Sequence, residues 1–536
     1  MKKPLKPSEY RSKRRQKKIE DKKMTDSDTS ELYLTVDLNW NERLLQKFIG
    51  NNNDINFRRF QLPTVEQECL LVFVDGLVKD EAITDSILRN LMLELPKVIN
   101  LQEKKKEHIN AKDLEMLLIS EGEVALTGNI QEIVDQVLSG EAAVILEGEN
   151  QAALIDTRGW EMRGIEDASS ESVIRGPRES FTETLRINTS LIRRKIRSSD
   201  LKIEALNLGT KTKTDIAIAY LEGVVNPKVA EEVKKRLNRI DIDSVLESGY
   251  LEELIEDSPL SPFPQIQTTE RPDKVAANIL EGRVAIIVDH TPFVMLVPTV
   301  FIQFFQASED YYERSMSSNV LRGVRVLAYI ISLALPAFYV ATINFHQQLI
   351  PFDLALSIAE GRAGVPFPPF LEAFLMGLIF EILREAGVRL PKPVGQAVGI
   401  VGGLVLGEAA VTAGLVSPIM VIVAALTAIA SFALPNYSLI ISSTIIRLAL
   451  MLLSAFMGYY GLIWGLVAVL IHLVSLRSFG VPYMSPLAPV STGGLKDTFF
   501  RVPWWLMVSR PHLIGTKNQK RGKRQMPHPR RGRGGQ

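Results

Sequence analysis

The 536-residue chain has a single cysteine, Cys69, so no intrachain disulfide can form, and this fits a reducing compartment. It has six histidines, none at metal-ligand spacing from another histidine or from the cysteine. Gly399, Gly402, Gly403 and Gly407 crowd one stretch, but no Lys-Ser/Thr pair follows them as a phosphate-binding loop requires. Asp75, Asp156 and Asp289 each close an apolar run, where turn chemistry is the ordinary role. No catalytic constellation emerges, so no enzyme, cofactor or metal site is expected. Met1 to Asp28 has no apolar core, so no signal peptide is expected there. Between residues 326 and 476 charge is scarce, and that scarcity is the dominant feature of the chain.

The net charge of +1 and the mean hydropathy of +0.09 are averages of unlike parts. Residues 1–23 carry eleven Lys/Arg against Glu9, Glu20 and Asp21, and nine Lys/Arg with no acid lie from Arg510 onward. Such blocks read as disordered basic tails beside anionic lipid on the cytoplasmic face. No aromatic residues interleave them in the way a nucleic-acid surface requires, so no nucleic-acid partner is expected. A hydrocarbon core about 30 Å thick takes about 20 apolar residues per helix. Several segments of the C-terminal third approach that length, which implies a multi-pass membrane protein.

The chain divides as follows: a basic tail (1–30), two soluble α/β subdomains (31–180 and 181–298) and an interfacial helix (299–323). A transmembrane domain (324–476), a juxtamembrane segment (477–509) and a second basic tail (510–536) follow. The two subdomains look related. CLLVFVDGLV (Cys69 to Val78) and DIAIAYLEGVV (Asp215 to Val225) are apolar strands closed by acid-Gly, with Gly76 and Gly223 separated by 147 residues. Strand pairs follow at Gly140–Asp156 and Gly282–Pro298, with Gly140 and Gly282 separated by 142. The reading is an old duplication; chance likeness of short β patterns is the alternative. Helices are expected over Asp80–Leu95, Asn129–Leu138, Leu185–Arg197, Asn226–Ile240 (with Pro227 in its first turn) and Pro272–Leu280. Asp257–Thr269 reads as a Pro/Ser-rich linker. Arg175, Gly176, Pro177, Arg178 and Glu179, with Glu183, form a charged turn that either ties the subdomains by ion pairs or binds an anion.

The first clear span is Val324–Ile343, with Arg322 and Arg325 at its basic, cytoplasmic start. Pro366, Pro368 and Pro369 interrupt helix, and Glu372 beside them is a candidate vestibule or gate residue. Glu372 and Glu381 are nine residues apart and project on opposite sides of one helix; Glu381 suits an ion pair with Arg384. The run from Ser442 to Leu476 is too long for one untilted span, and Gly458-Tyr459-Tyr460-Gly461 reads as its external turn. Six spans put both termini inside, with Arg384, Arg389, Lys392, Arg447 and Arg477 on that side. Four spans and a re-entrant piece are the alternative. In GQAVGIVGGLVLGE, Gly395, Gly399, Gly403 and Gly407 recur every fourth residue and share one helix face for close packing. Val398, Val401, Val405 and Glu408 lie opposite, as pore lining or as ordinary packing at the membrane edge.

PDKVAANILEGRVAIIVD (272–289), FFQASEDYYER (304–314), LREAGVRLPKPVGQAVGIVGGLVLGEAAV (383–411) and SFGVPYMSPLAP (478–489) closely resemble the A-subunit family of bacterial spore germinant receptors. RGPRESFTE (175–183) is similar to that family's RGPREGFTE. Ser180 departs from the family's usual Gly, and His290 stands where a DGTP-like turn is typical. The resemblance covers roughly residues 65–510. It implies a two-part cytoplasmic domain and a multi-pass domain in the spore inner membrane. The implied partners are a transporter-like B subunit, a lipoprotein C subunit and further copies of the chain. The implied role is a nutrient-triggered, oligomeric cation channel subunit; a non-conducting scaffold or transporter subunit of the same receptor is the alternative.

Overall fold

The computed structural model describes residues 33–50, 52–63, 65, 67–96, 108–118, 124–159, 171, 173–390, 403, 405–491, 493–511, 515–523 and 525–526. The first subdomain contains α1 (Leu38–Ile49), β1 (Ile55–Gln61), β2 (Glu68–Val74), α2 (Ala111–Leu118), β3 (Val124–Thr127), α3 (Ile130–Val137), β4 (Ala142–Leu146) and β5 (Ala152–Ile155). The expected helix at Asp80–Leu95 is wound as π-helical turns, Ala82–Leu88 and Asn90–Glu94. The second contains α4 (Leu185–Lys195), β6 (Leu201–Leu208), β7 (Thr214–Leu221), α5 (Pro227–Asn238), α6 (Ser248–Ile255), β8 (Gln267–Thr269), α7 (Pro272–Leu280), β9 (Val284–Val288) and β10 (Val294–Val297). The strand orders are β1-β2-β4-β5-β3 and β6-β7-β9-β10-β8, the same antiparallel topology twice.

The duplication extends to single atoms. Buried Asn41 accepts from the Thr35 N–H at 2.8 Å and donates to the Thr35 carbonyl at 2.6 Å. Asn188 does the same with Thr182, at 2.8 and 2.6 Å. Both clamps are written T-x-x-L-x-x-N, and Asn188 minus Asn41 is 147, the offset that also separates Gly76 from Gly223. Those two glycines share φ of +80° and +78°, and Gly140 and Gly282 share +99° and +94°. Each sheet is buried on both faces. Leu70, Val72 and Val74 enter one core while Cys69 and Leu71 enter the other, as the period of two dictates. His290 holds φ +69°, which costs a residue with a Cβ about 1–2 kcal/mol and a glycine little. Ser180 has no positive φ, so its position does not demand the family's glycine.

The subdomains are joined by a buried ion pair absent from the sequence reading. Arg193 on α4 donates through Nε and Nη2 to the two Asp54 oxygens at 2.8 and 3.0 Å. The Arg175–Glu183 turn, expected either to tie the subdomains or to bind an anion, makes ion pairs of its own. Glu179 pairs with Lys195 and Arg194 of α4 at 3.0 and 3.3 Å, and Arg175 reaches Glu313 at 3.7 Å. Phe181 N–H donates to Glu270 O, which pins the end of the turn to the second subdomain.

Beyond β10 the chain forms a 3-10 turn (Phe301–Phe305), α8 (Glu309–Tyr312), α9 (Ser315–Phe345), α10 (Phe352–Arg362), α11 (Pro369–Arg389), α12 (Pro418–Phe432) and α13 (Tyr437–Ser475). Residues 405–412 are also helical. Among the described residues, α9 and α13 are the two helices long and apolar enough to cross a membrane. α9 begins nine residues before the expected span, and in its first turns Ser318 and Arg322 are buried by partners. The expected interfacial helix at 299–323 is therefore replaced by short turns and the start of α9.

α13 doubles back at Gly458, whose φ of 58° and ψ of −139° suit only glycine. Beyond it, Gly461 lies against the Leu453 carbonyl and Gly465 against Leu450. The two arms end side by side: Ser442 donates to Pro262 O, and His472 Nε2 lies 2.8 Å from Ser261 Oγ. The tip at Tyr459 meets Thr342, near the far end of α9, at 2.6 Å. The segment expected as a linker, Asp257–Thr269, thus supplies edge strand β8 and a loop that docks on the bundle.

Past the bundle, β11 (Arg477–Ser478) and β12 (Val481–Pro482) form a small hairpin whose Phe479 enters the core of the second subdomain. Residues 510–523, expected as disordered tail, fold back where described. Arg510 Nε donates to Leu280 O at 2.7 Å, Lys517 N–H to Val224 O at 3.1 Å, and Arg521 pairs with Glu281 at 3.0 Å.

Two outcomes test this fold. Arg193→Leu leaves Asp54 buried and unpaired and should cost about 3–5 kcal/mol, whereas Arg193→Leu with Asp54→Leu should recover most of it. Unfolding of the full chain in detergent measures both, and a double variant no better than the single would exclude the pair as the joint. Half-buried Glu252 on α6 is pushed up from 4.5 to about 7 by burial and by Glu256 and Glu247. A carboxyl raised in the folded state stabilises fully below pH 4.5, and that stability is lost as pH rises through about 7. Glu252→Gln should therefore be about 1 kcal/mol more stable than the parent at pH 8 and no more stable at pH 4.

Candidate functional site

Ser308-Glu309-Asp310-Tyr311-Tyr312 forms the short helix α8, immediately before α9. Asp310 is buried, and its Oδ2 accepts from the Ala307 N–H at 3.2 Å. Two guanidiniums converge on it from α9: Arg322 Nε at 2.9 Å and Arg325 Nη1 at 2.8 Å from each oxygen. Residues 322 and 325 are i and i+3, so they share the helix face that looks back at α8. Arg325 also donates to Phe305 O at 3.2 Å.

The C-terminal segment completes the cluster. Asp497 accepts from Arg322 Nη1 at 2.7 Å and from Tyr311 OH at 2.8 Å. Arg501 donates to the carbonyls of Asp310 and Glu313, and its cation lies 5.8 Å from the Tyr311 ring and 5.5 Å from the Trp504 ring. Trp504 Nε1 donates to Tyr311 O at 3.1 Å. Burial, reinforced by Asp497, raises the Tyr311 phenol far above its ordinary value, so it stays a proton donor. Burial also lowers Arg501. The segment that follows β10, the base of α9 and the C-terminal segment thus meet at one charged cluster.

Further ion pairs lie within the bundle. Glu381 takes Arg447 Nη2 at 3.0 Å, the Thr444 hydroxyl at 3.0 Å and its expected partner Arg384. Arg447 also donates to Ser332 O on α9 at 3.3 Å. It was expected at the basic edge, but Glu381 and this carbonyl hold it among the helices. A cavity of about 50 Å³ opens beside the pair, flanked by Thr427 and Ser431. Nearer the far end, Glu372 is buried; it takes Arg362 at 3.0 Å and the Ser417 N–H at 3.0 Å. Pro369 opens α11, and Pro366 and Pro368 are exposed just before it.

Of the glycine helix, Gly395, Val398, Gly399 and Val401 lie outside the described residues. Gly407 is buried with room for only an ordinary contact to Val421, and Gly403 faces open space. Val405 and Glu408 are exposed on the single chain. In the Arg175–Glu179 turn, the Pro177 carbonyl accepts from Arg271 at 2.8 Å. Gly176, at φ +140°, lies so close to the Tyr312 ring that a Cβ would meet it at 2.8 Å. The sequence reading missed Asp54, Asp310, Asp497 and Arg501 as partners. Only Asp310, in the polar stretch ahead of a basic helix start, left a local sign.

An α/β domain that docks by hydrogen bonds on a bundle with two long apolar helices defines a membrane-associated protein. The family described as Bacillus/Clostridium GerA spore germination protein matches residues 43–513. The chain belongs to this family. It is 46% identical over 491 residues to spore germination protein KA of Bacillus subtilis strain 168, covering 91% of this chain and 89% of that one. It is 40% identical over 470 residues to spore germination protein GerLA of Bacillus cereus, covering 88% and 94%. The crystal structure of the N-terminal domain of the A subunit of the Bacillus megaterium spore germinant receptor GerK3 is 35% identical, covers 51% of this chain and 98% of that one, and has a TM-score of 0.40.

If Asp310 is the hub, Asp310→Asn should destabilise the full chain in detergent by about 3 kcal/mol. Asp497→Asn should cost less, since Arg322 keeps Asp310 and Asp497 is part-exposed. Calorimetry that ranks the two variants the other way would refute the assignment.

Proposed function

We propose that this chain is the A subunit of a nutrient germinant receptor that triggers spore germination. In this reading it is a multi-pass membrane protein with both termini cytoplasmic, works beside a transporter-like B subunit and a lipoprotein C subunit, and assembles with its own copies into a cation channel. The observation that carries the membrane part is the alternation of helix direction. α9 leaves the soluble domain and ends beside Tyr459; α11 runs back, from the level of Tyr339 and Ser417 at Glu372 to the level of Ser332 at Glu381. α12 starts at that same Ser417 level and returns, and the arms of α13 go out and back. α11 and α12 run in the same sense. In this reading the chain makes six crossings, and the docking of Phe479 and Arg510 on the second subdomain supports a C-terminal segment on the side of that domain.

The exposed positions of Val405 and Glu408 favour a face open to a neighbouring copy, with the buried Gly407 packing inward. Apolar rings gate by dewetting and acidic rings favour cations. In spores carrying single variants, Val398→Ala, Val401→Ala and Val405→Ala should each raise spontaneous cation release several-fold. Glu408→Gln should slow release triggered by a panel of amino acids, sugars and nucleosides. If all four leave spontaneous and triggered release unchanged, the chain is a non-conducting scaffold or transporter subunit of the receptor.

A further inference from the structure

The two subdomains meet through one face of each. The first contributes the turn after β2 and the loop before β1. A Cβ on Gly76 would meet the Arg186 carbonyl and the Ser190 Cβ of α4 at 3.3 Å each. Asp75 pairs with Arg186 at 3.3 Å, and Asp54 with the buried Arg193 at 2.8 Å. Asn53 N–H donates to the Ile203 carbonyl of edge strand β6 at 3.3 Å. The second subdomain thus contributes α4 and the edge of β6.

The duplication supplies each subdomain with the other's face as well, and among the described residues both of these are uncovered. Glu222 and Gly223 stand 147 residues after Asp75 and Gly76. Asp200 stands for Asp54: the Asp75 N–H donates to Asp54 O and the Glu222 N–H to Asp200 O, both at 2.8 Å. A Cβ on Gly223 would meet nothing within 4 Å, and Asp200 and Glu222 are exposed. At the other end, the Asn41 and Asn188 clamps equate α1 with α4. Asn39, Arg43 and Gln46 then take the places of Arg186, Ser190 and Arg193. Ser190 and Arg193 are buried, whereas Arg43, Gln46 and the Trp40 ring are exposed. β1 is the corresponding edge strand, with β2 its one strand neighbour among the described residues.

The two uncovered faces are complementary. One offers the carboxylates of Asp200 and Glu222, the other the Arg43 guanidinium and the apolar Trp40 ring. Gln46 replaces Arg193, and Arg43, three residues before it on the same helix face, supplies the cation instead. The internal joint is not a local two-fold, since Gly76 is covered and Gly223 is open. Repeating it therefore extends the array beyond the chain and does not close it within one molecule. The surface that fits the Asp200–Gly223 turn is then the α1–β1 face of another copy.

We propose that the α1–β1 face of one copy docks on the Asp200–Gly223 turn of the next, repeating between molecules the joint that holds the two subdomains together within one. The contact is head-to-tail, because its two faces differ. Copies standing in one membrane have no rise along its normal, so such a contact closes there into a ring and not a filament. First and second subdomains alternate around that ring. The contact rests on the assembly of copies proposed above and not on conduction by the bundle.

The test uses the full chain in membranes, in a Cys69→Ala background that leaves no other thiol. Asn39→Cys on one chain and Glu222→Cys on another put thiols where the Arg186–Asp75 pair has its equivalents, and both positions are exposed, so the fold is kept. With a short bis-maleimide, the co-expressed single variants should give a covalent dimer and neither alone should. Both substitutions on one chain should give a ladder. Arg43→Glu on the Asn39→Cys chain should cut the dimer several-fold, and Asp200→Lys on the Glu222→Cys chain should restore it. The mass of the cysteine-free parent in mild detergent is measured alongside. An oligomer whose thiol pairs fail to crosslink overturns this contact alone, and a monomer overturns both the contact and the assembly. Single variants that crosslink with themselves reveal a two-fold contact and also overturn it. So does a dimer that forms only once residues 1–30 are deleted, since the basic tail is then the occupant of the surface.

Discussion

A buried carboxylate must find cations, because the attraction of a partner is what offsets its lost hydration. Asp310 meets that demand with Arg322 and Arg325, and much of the architecture follows from it. The two arginines set the rotation of α9, so the face that carries them looks at α8. Arg322 has hydrogen-bonding capacity to spare and draws in Asp497. Asp497 brings the C-terminal segment beneath the bundle, and Arg501 and Trp504 then close over Tyr311. The base of α9 and a C-terminal segment about 175 residues further on are thereby held to one group.

The same rule operates among the apolar helices. Glu372 and Glu381 sit in surroundings where an unpaired charge is expensive, and each has an arginine from another helix: Arg362 for the first and Arg447 for the second. These pairs set the relative heights of α10, α11 and α13. They act with Gly458, whose backbone conformation turns one long apolar run into two antiparallel arms. The bundle is thus registered by a few polar contacts within a packing surface that has little directional preference of its own.

Some of this was legible in the residues. Gly76 and Gly223, at an offset of 147, mark equivalent strand ends; the Thr35–Asn41 and Thr182–Asn188 clamps share that offset, and only their hydrogen bonds brought them to notice. Local grammar made the glycines readable, since each depends on residues at one strand end. Pro227 and Asn226 marked the start of α5, and Gly458 the reversal of α13, for the same reason. Arg193 and Asp54 were not legible as a pair: they are 139 residues apart, and neither has a local pattern that distinguishes it from a solvated charge. The pairing of Arg322 and Arg325 with Asp310 was not legible, because a basic helix start reads equally as a membrane-edge signal and as half of a buried ion pair.

Sequence alone determined the two classes of segment, mixed and apolar, the repeat of strand and helix within the first class, and the turns between apolar runs. Those follow from periodicity, side-chain volume and backbone freedom, which act over a few residues. Only the tertiary structure decided which charges are buried and with whom: Asp54 with Arg193, Asp310 with Arg322 and Arg325, Glu381 with Arg447. Whether a charge is solvated or paired depends on what the rest of the chain places beside it. That is a property of the packed chain and not of any stretch of it.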